Sequence, residues 1–483
     1  MSFSFFNKVW ASNESKPPGG TLFVVGDGEV YGEIGLGDMP HVYDPTIVFD
    51  MEYESVIDIS SSRLHTLAVT RSGTIWSWGC DDYGALGRTG YAASPRPITH
   101  PSIRYIRFKK VACGNSMSMA INSKGQLYTW GSFHSDHGIF GYLPNIVIQK
   151  YPRIVNSVAD LRFIEIAAGA SHCLALDDQG QVYSWGCGEF GHLGRPDLQN
   201  NENRRLKQCL IPVRLDGLKD IVAIACGAFH SLALDKDGHL YSWGLNHFQQ
   251  CGLLEKIDDG NINFKQANEV IDRPTMVPYF CEQNAELKRN NDGLSSTRTK
   301  MAQNGPRTER FSENNSKNDK EQLTDNYDKP KALLIAAGDY HSVAAMSDNT
   351  LRVWGRCDNG QLGIIIYPDY VYPASFKTPE VDRIYAIGYP TSNLWRCSEK
   401  IEKIICGAEH TLIMSKYGRV WGYGQNASNQ LGLFHCRENV AIPTLLNPIN
   451  NKGAVVNIAA GDQCSMFVII EDDKQFVKVE EMC

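Results

Sequence analysis

The sequence predicts an all-β fold, a seven-bladed β-propeller closed into one ring, and three observations predict it. A Trp-Gly-centred motif recurs seven times, six copies closely and one, at 24–35, in degenerate form. A second motif, Gly-x-x-His followed by an alternating apolar run, alternates with it. Its clearest copies are Gly169-Ala-Ser-His-Cys-Leu-Ala-Leu176 and Gly227-Ala-Phe-His-Ser-Leu-Ala-Leu234. The Trp-Gly glycines Gly26, Gly79, Gly131, Gly186 and Gly244 follow one another at steps of 50–60 residues. A repeat of that length means an array of like supersecondary units.

Each unit reads strand, turn, strand. The apolar run ending at Leu176 is one strand, Asp177-Asp-Gln-Gly180 is a hairpin turn, and 181–185 is the next strand. A hairpin with one apolar face cannot bury that face alone. Seven such units close radially, which leaves only short, protected strand edges. The chain begins with a Trp-Gly half at 21–37 and ends with a Gly-x-x-His half at 459–470. The last strands are therefore expected to complete the first blade and lock the ring.

Residues 1–20 are expected to form a short extension, 21–472 the propeller and 473–483 a tail. Between Gly244 and Gly355 the step widens to 111 residues. The excess, at about 257–329, is expected to be a flexible polar insertion. Rich in Asn, Lys, Glu, Ser, Thr and Arg, it cannot bury enough surface to offset its ordering entropy.

Composition narrows the function. The 483 residues carry a net charge of −7, which gives no bias towards nucleic acid. No apolar run approaches the ~18 residues of a membrane span, and 1–8 lacks a signal-peptide pattern. No membrane role is expected. The 14 cysteines form no Cys-x-x-Cys pair, and Cys113, Cys226 and Cys406 recur at one repeat position. They read as buried thiols in a reducing compartment. The sequence holds no P-loop, no Gly-x-Ser-x-Gly elbow and no His-Glu-x-x-His. Neither covalent chemistry nor a cofactor is expected.

Residues repeated around a ring serve the ring. Trp78, Trp130, Trp185, Trp243 and Trp354 are expected to fill the space between blades. His65, His172, His230, His341 and His410 are expected to hydrogen-bond to backbone across the blade. Function is expected where the repeat breaks. Five copies run eight residues from the Trp-Gly glycine to the last glycine, whereas the third, Gly131 to Gly141, runs ten. That lengthened hairpin is expected to protrude as a wedge at a partner interface. His134, Asp136 and His137 show no fourth ligand or second shell, so no metal site is expected there.

The paired signatures Gly-x-x-His-[Ser/Thr]-Leu-Ala-Leu and Trp-Gly-x-[Asn/Gly]-x-x-Gly-x-Leu-Gly resemble the regulator of chromosome condensation repeats, a seven-bladed propeller family. The likeness covers about 20–255 and 330–472. Three stretches resemble the family's exchange factors for the small GTPase Ran. They are Trp78-Gly-Cys-Asp-Asp-Tyr-Gly-Ala-Leu-Gly-Arg88, Trp130-Gly-Ser-Phe-His-Ser-Asp-His-Gly-Ile-Phe-Gly141, and Gly186-Cys-Gly-Glu-Phe-Gly-His-Leu-Gly-Arg195 followed by Asn203-Arg-Arg-Leu-Lys. The second falls on the lengthened hairpin.

The resemblance implies guanine-nucleotide exchange without covalent chemistry. The wedge presses on the phosphate-binding loop and switch region of Ran and stabilises its nucleotide-free form, so that GDP leaves and GTP enters. It implies an exchange wedge of Phe133, His134, Ser135, Asp136, His137 and Gly138. It implies a partner-binding set of Glu29, Asn115, Ser171, Arg195, Tyr340 and Cys464, with Ser171 where relatives carry an Asp. A monomeric protein follows, nuclear and chromatin-associated or also cytoplasmic, acting in nucleocytoplasmic transport and mitosis. Histones or nucleosomal DNA are further partners through propeller loops. The family's basic N-terminal tail is not matched, since 1–20 holds only Lys8 and Lys16. The alternative is a non-exchange propeller scaffold of the same repeats, in trafficking or ubiquitin-linked assembly.

Overall fold

The computed structural model describes residues 19–28, 32–135, 138–196, 208–254, 269–280, 330–366, 375–378, 381–436 and 438–470. They form seven antiparallel blades around one axis and one small two-stranded sheet. Numbered by their Trp-Gly strands, blades 2 to 7 span 56–97, 108–154, 163–214, 221–276, 332–392 and 401–445; blade 1 joins 454–470 to 21–47. The innermost strands touch one another in turn, from Val56–Ser61 round to Ala454–Ala460 and back. The second strands, such as His65–Thr70 and His172–Asp177, are buried along their whole length. Blades cover them on both faces, which is why the apolar run there is unbroken. Seven apolar clusters fill the seven seams between blades.

A polar latch crosses three seams in full and three more in part. In blade 5 the carbonyl of Gln250 accepts from Trp354 Nε1 at 2.8 Å and from the Ser342 hydroxyl at 2.9 Å, both in blade 6. His230 Nε2 of blade 5 meets the same hydroxyl at 2.8 Å. The hydroxyl spends its proton on the carbonyl, so His230 must donate. The arrangement recurs with Ala85, Ser118, Trp130 and His65, and with His192, Ser231, Trp243 and His172. Glycine makes room for it. Gly252 has φ +67°, and a Cβ there would stand 2.7 Å from Trp354 Nε1. The five tryptophans do fill the seams, all at most 2% exposed. The histidines differ from expectation. The Nε2 of each meets a Ser or Thr hydroxyl of the next blade, including Thr411 for His341 and Ser465 for His410.

The ring closes as the half-motifs predict. Thr21–Asp27 pairs antiparallel with Cys464–Ile470, from Thr21 opposite Ile469 to Gly26 opposite Cys464. The order of strands in blade 1 is therefore 41–47, 21–27, 464–470, 454–460.

Two features depart from the expected plan. The stretch assigned to a polar insertion, 257–329, contains Val270–Met276, the outer strand of blade 5, paired with Leu240–Leu245. Its half-exposed outer position calls for little apolar content, so composition alone hides it. Within 257–329, residues 257–268 and 281–329 lie outside the described residues. Blade 6 is also enlarged. Its fourth strand, Val381–Ser392, runs twelve residues and pairs with an added strand, Ser375–Thr378.

A belt of charge lies across the axis. At the bulged position of the inner strands stand Asp58, Lys110, Glu165, Lys403 and Asn457. Lys110 pairs with Glu165, and Lys403 Nζ donates to Asn457 Oδ1 at 2.5 Å and to the Ile458 carbonyl at 3.0 Å. Burial lifts the Asp58 carboxyl and lowers the Lys403 ammonium from their ordinary values. Charges this enclosed are tolerable because they meet each other.

Two outcomes follow. Trp243→Ala removes a ring and a latch donor, and should destabilise the protein by about 3–5 kcal/mol in denaturant unfolding. The latch histidines give a pH dependence. Burial lowers His65 and His410 to about 4, His230 and His341 to about 3, and His172 well below 6.5. The fold holds them neutral, so their contribution is full above the unfolded value of about 6.5 and is lost as pH falls from there through the folded values. The contribution of Asp339, lifted by burial to about 6, together with the lifted Asp58 and Asp81, has the opposite sense. With five histidines against it, the melting temperature should fall steadily between pH 6.5 and 4.

Candidate partner-binding face

In an antiparallel four-stranded blade the first and third connections emerge at one end of the ring. The first carries the Gly-x-x-His turn and the third the loop after Trp-Gly. The turns are tied around the axis: Asn115 N donates to the Ala170 carbonyl at 3.1 Å, Ala170 N to Ala228 at 3.0 Å, Asp339 N to Ala408 at 3.1 Å and Ala408 N to Gly461 at 3.2 Å. That rigid collar presents the variable residues of both motifs to one side.

The lengthened hairpin rises from this end as a separate sheet. Phe133–Ser135 pairs with Gly138–Gly141, His134 opposite Ile139 and Ser135 opposite Gly138. Gly138 has φ +109° with open space where a Cβ would be. Ser135 and His134 are half-buried, and burial lowers the His134 imidazole. The His134 ring lies 3.9 Å, edge-on, from that of Tyr83 in blade 2. Asp136, His137 and Glu29 lie outside the described residues. Ile139, absent from the expected wedge, is 49% exposed.

Four sequence assignments change. Phe133 is 1% exposed and sits in the seam between blades 3 and 4 with Met117, Cys173 and Trp185. It anchors the wedge and is not available to a partner. Cys464 is fully buried and pairs with Gly26, in the register position that holds His in five blades. Asn115 is one residue out of register; Ser116, itself buried, is the counterpart of Ser171 and Tyr340. Arg195 is engaged with its own blade, donating to the Ser184 carbonyl at 3.5 Å and the Gln208 carbonyl at 3.1 Å. Arg88 does the same in blade 2, where its guanidinium donates to Ser77, Tyr91 and Ser94 carbonyls. Of the described residues in that set, Ser171 and Tyr340 stand on the Gly-x-x-His turns of the face, both half-buried.

The face holds groups the motifs do not reveal, because they occupy the variable positions. Arg63 of blade 2 meets Asp462 of blade 1 at 2.8 Å and Asp339 of blade 6 at 3.9 Å. Beside it, Arg356 binds Asp358 at 2.8 Å and Glu409 at 2.6 Å, while Asn359 donates to Glu409 at 2.6 Å. Half-buried rings run across blades 4 to 6. Phe190 lies 5.7 Å from Phe229, Phe229 6.1 Å from Tyr340, and Phe248 5.0 Å from Tyr340 and 6.0 Å from Tyr385. The Arg356 guanidinium stands 5.4 Å over Phe248. A raised hairpin, an aromatic floor and a net acidic centre at one end suit a folded protein partner better than a small substrate.

Comparison with known proteins agrees. Residues 21–467 match the family described as the RCC1-like domain. The chain is 29% identical to the guanine nucleotide exchange factor SRM1 of Saccharomyces cerevisiae, over 95% of this chain and 90% of that one. It is 30% identical to the regulator of chromosome condensation of Mus musculus, over 96% and 93%. A crystal structure of Prp20p from Saccharomyces cerevisiae, described with its binding properties to Gsp1p and histones, superposes with a TM-score of 0.75 at 25% identity, covering 100% of this chain and 99% of that one.

The axial ion bridge makes a direct prediction. Arg63 lowers the Asp339 carboxyl against the larger effect of burial. Arg63→Met should therefore raise the Asp339 pKa above about 6, as read by carboxyl-carbon NMR.

Proposed function

We propose, from the premise that the chain belongs to the RCC1-like domain family, that it is a guanine-nucleotide exchange factor for the small GTPase Ran. The observation that carries the reading is the hairpin of blade 3, the one motif copy lengthened by two residues, which stands off the collar as its own sheet. The named exchange factor SRM1 and the Gsp1p binding described for Prp20p support it.

The mechanism is differential binding. Exchange factor and nucleotide each weaken the other's hold on the GTPase, and the coupling is reciprocal. An acceleration of 10⁵ requires about 7 kcal/mol off the barrier to release. One hairpin cannot supply that. A face burying roughly 1,200–2,000 Å² can, with the hairpin as the element that fits only the nucleotide-free form. In this reading the aromatic floor of Phe190, Phe229, Phe248 and Tyr340 and the acids around Arg63 and Arg356 hold the GTPase. Ile139 enters the nucleotide site, and the expected wedge adds Asp136 and His137. Ser171 removes a charge that relatives direct at the GTPase.

Nuclear, chromatin-associated work in transport and mitosis belongs to the same reading, as does a second partner. Histones are in the description of Prp20p. The opposite end of blades 2 and 3 exposes Arg71, Arg104, Arg107 and Lys124, a surface suited to nucleosomal DNA.

The test is release of a fluorescent GDP analogue from Ran with catalytic amounts of this protein. Wild type should accelerate release strongly. Ile139→Ser should slow it at least about tenfold with an unchanged melting temperature, because the side chain is exposed. Binding without acceleration, or no binding, would move the weight to the non-exchange scaffold.

A further inference from the structure

We infer that Tyr83, a residue of blade 2, is a positioning residue for the wedge of blade 3, which is held between Tyr83 on one side and its own Phe133 and Phe140 sunk into blade 4 on the other. The effect on rate rests on the exchange reading above; the mount itself does not.

The repeat shows what is unusual. Tyr83 stands four residues after its Trp-Gly glycine, and the same position holds Phe190 in blade 4 and Phe248 in blade 5. Those two rings each meet an aromatic on the Gly-x-x-His turn of the next blade. Phe190 packs edge-on against Phe229 at 5.7 Å, and Phe248 lies tilted against Tyr340 at 5.0 Å. The corresponding residue of blade 3 is Ser116, which has no ring to offer. His134 of the wedge takes the vacant place, its ring 3.9 Å from Tyr83 at 63°. Among the described residues, His134 Nε2 is buried without a hydrogen-bond partner. The contact with Tyr83 is thus a ring contact and not a polar one.

The other side of the hairpin is fixed differently. A register shift separates Phe133 from His134, and their rings part, Phe133 into the seam with blade 4 and His134 towards Tyr83 of blade 2. The Phe133 ring lies so close to blade 4 that a Cβ on Gly186, at φ +118°, would stand 2.8 Å from it. Phe140 packs beside Leu193 and Cys209. The polar latch is replaced in this seam: Met117 stands in the place of the histidine and Cys173 in that of the hydroxyl. Apolar packing around Phe133 does the work instead. The hairpin is therefore pinned on both faces, and truncating the Tyr83 ring frees one of them.

The variants are Tyr83→Ala and Tyr83→Phe. Tyr83 lies half-buried in a loop of the face, away from the seam clusters, so both variants should melt with wild type. In the Ran exchange assay, Tyr83→Ala should lower kcat about tenfold with KM changed less than about twofold, since a misdirected element loses transition-state and not ground-state contacts. Tyr83→Phe should restore wild-type kcat. An unchanged kcat in Tyr83→Ala, or a rise in KM alone, would overturn the inference. A second measurement needs no activity. The His134 imidazole C–H resonances should be shifted upfield by the Tyr83 ring in wild type and Tyr83→Phe, and should lose that shift in Tyr83→Ala. Absence of the shift in wild type would overturn the mount whatever the exchange assay reads. The shift present with no exchange by wild type would support the mount and refute the exchange reading instead.

Discussion

Each latched seam depends on one backbone carbonyl that accepts two hydrogen bonds from the neighbouring blade. The carbonyls of Ala85, His192 and Gln250 each take an indole N–H and a hydroxyl, and the hydroxyl in turn takes a histidine N–H. Buried polar groups cost several kcal/mol each when left unmade, on the order of 1–3. Four groups satisfied in one chain convert that liability into a fixed angle between blades. The last glycine of four Trp-Gly motifs, Gly35, Gly87, Gly194 and Gly252, is needed because the indole passes where its Cβ would be. The Trp, the two glycines, the hydroxyl and the histidine are thus one device distributed over two blades. This accounts for a motif that recurs with so little variation.

The periodic part of this was open to sequence reading. A Trp-Gly spacing near 50–60 residues and the order of the half-motifs led to seven blades and to the closure of blade 1. The histidine's partner was not open to it, because Ser231 or Ser342 lies a blade away and looks like any strand serine. Register was a second obstacle. Asn115 and Cys464 were placed by counting from degenerate copies, in which Met117 and Cys464 stand where a histidine would mark the frame. A third was polarity. Val270–Met276 is an outer strand, half-exposed, and its Asp272, Arg273, Pro274 and Thr275 resemble the loop around it. The functional face was legible only as a break in spacing. Arg63, Asp339, Phe229 and Phe248 occupy positions the motif leaves free, and free positions carry no periodic signal.

The wedge and the missing latch belong together. A hairpin two residues longer cannot leave its carbonyl where Trp185 would find it, so the seam between blades 3 and 4 is assembled from Phe133, Met117, Cys173 and Leu210. Apolar packing has no required donor–acceptor geometry, and it tolerates a strand leaving at a new angle. The propeller gives up the polar latch at this seam, and the element that departs from the repeat emerges from it.

Closure has a consequence for how the chain is made. Thr21–Asp27 leaves the ribosome long before its partner Cys464–Ile470. Until blade 7 and that partner are made, the N-terminal hairpin has an open edge and one uncovered apolar face, that of Phe23 and Val25. Contacts between residues this far apart in sequence form slowly, and edges exposed meanwhile pair with whatever is near. Blades 2 to 7 can stack in order as they appear. The first strands of the chain are the last to find their place, and until then the nascent protein depends on the cell to keep them from strangers.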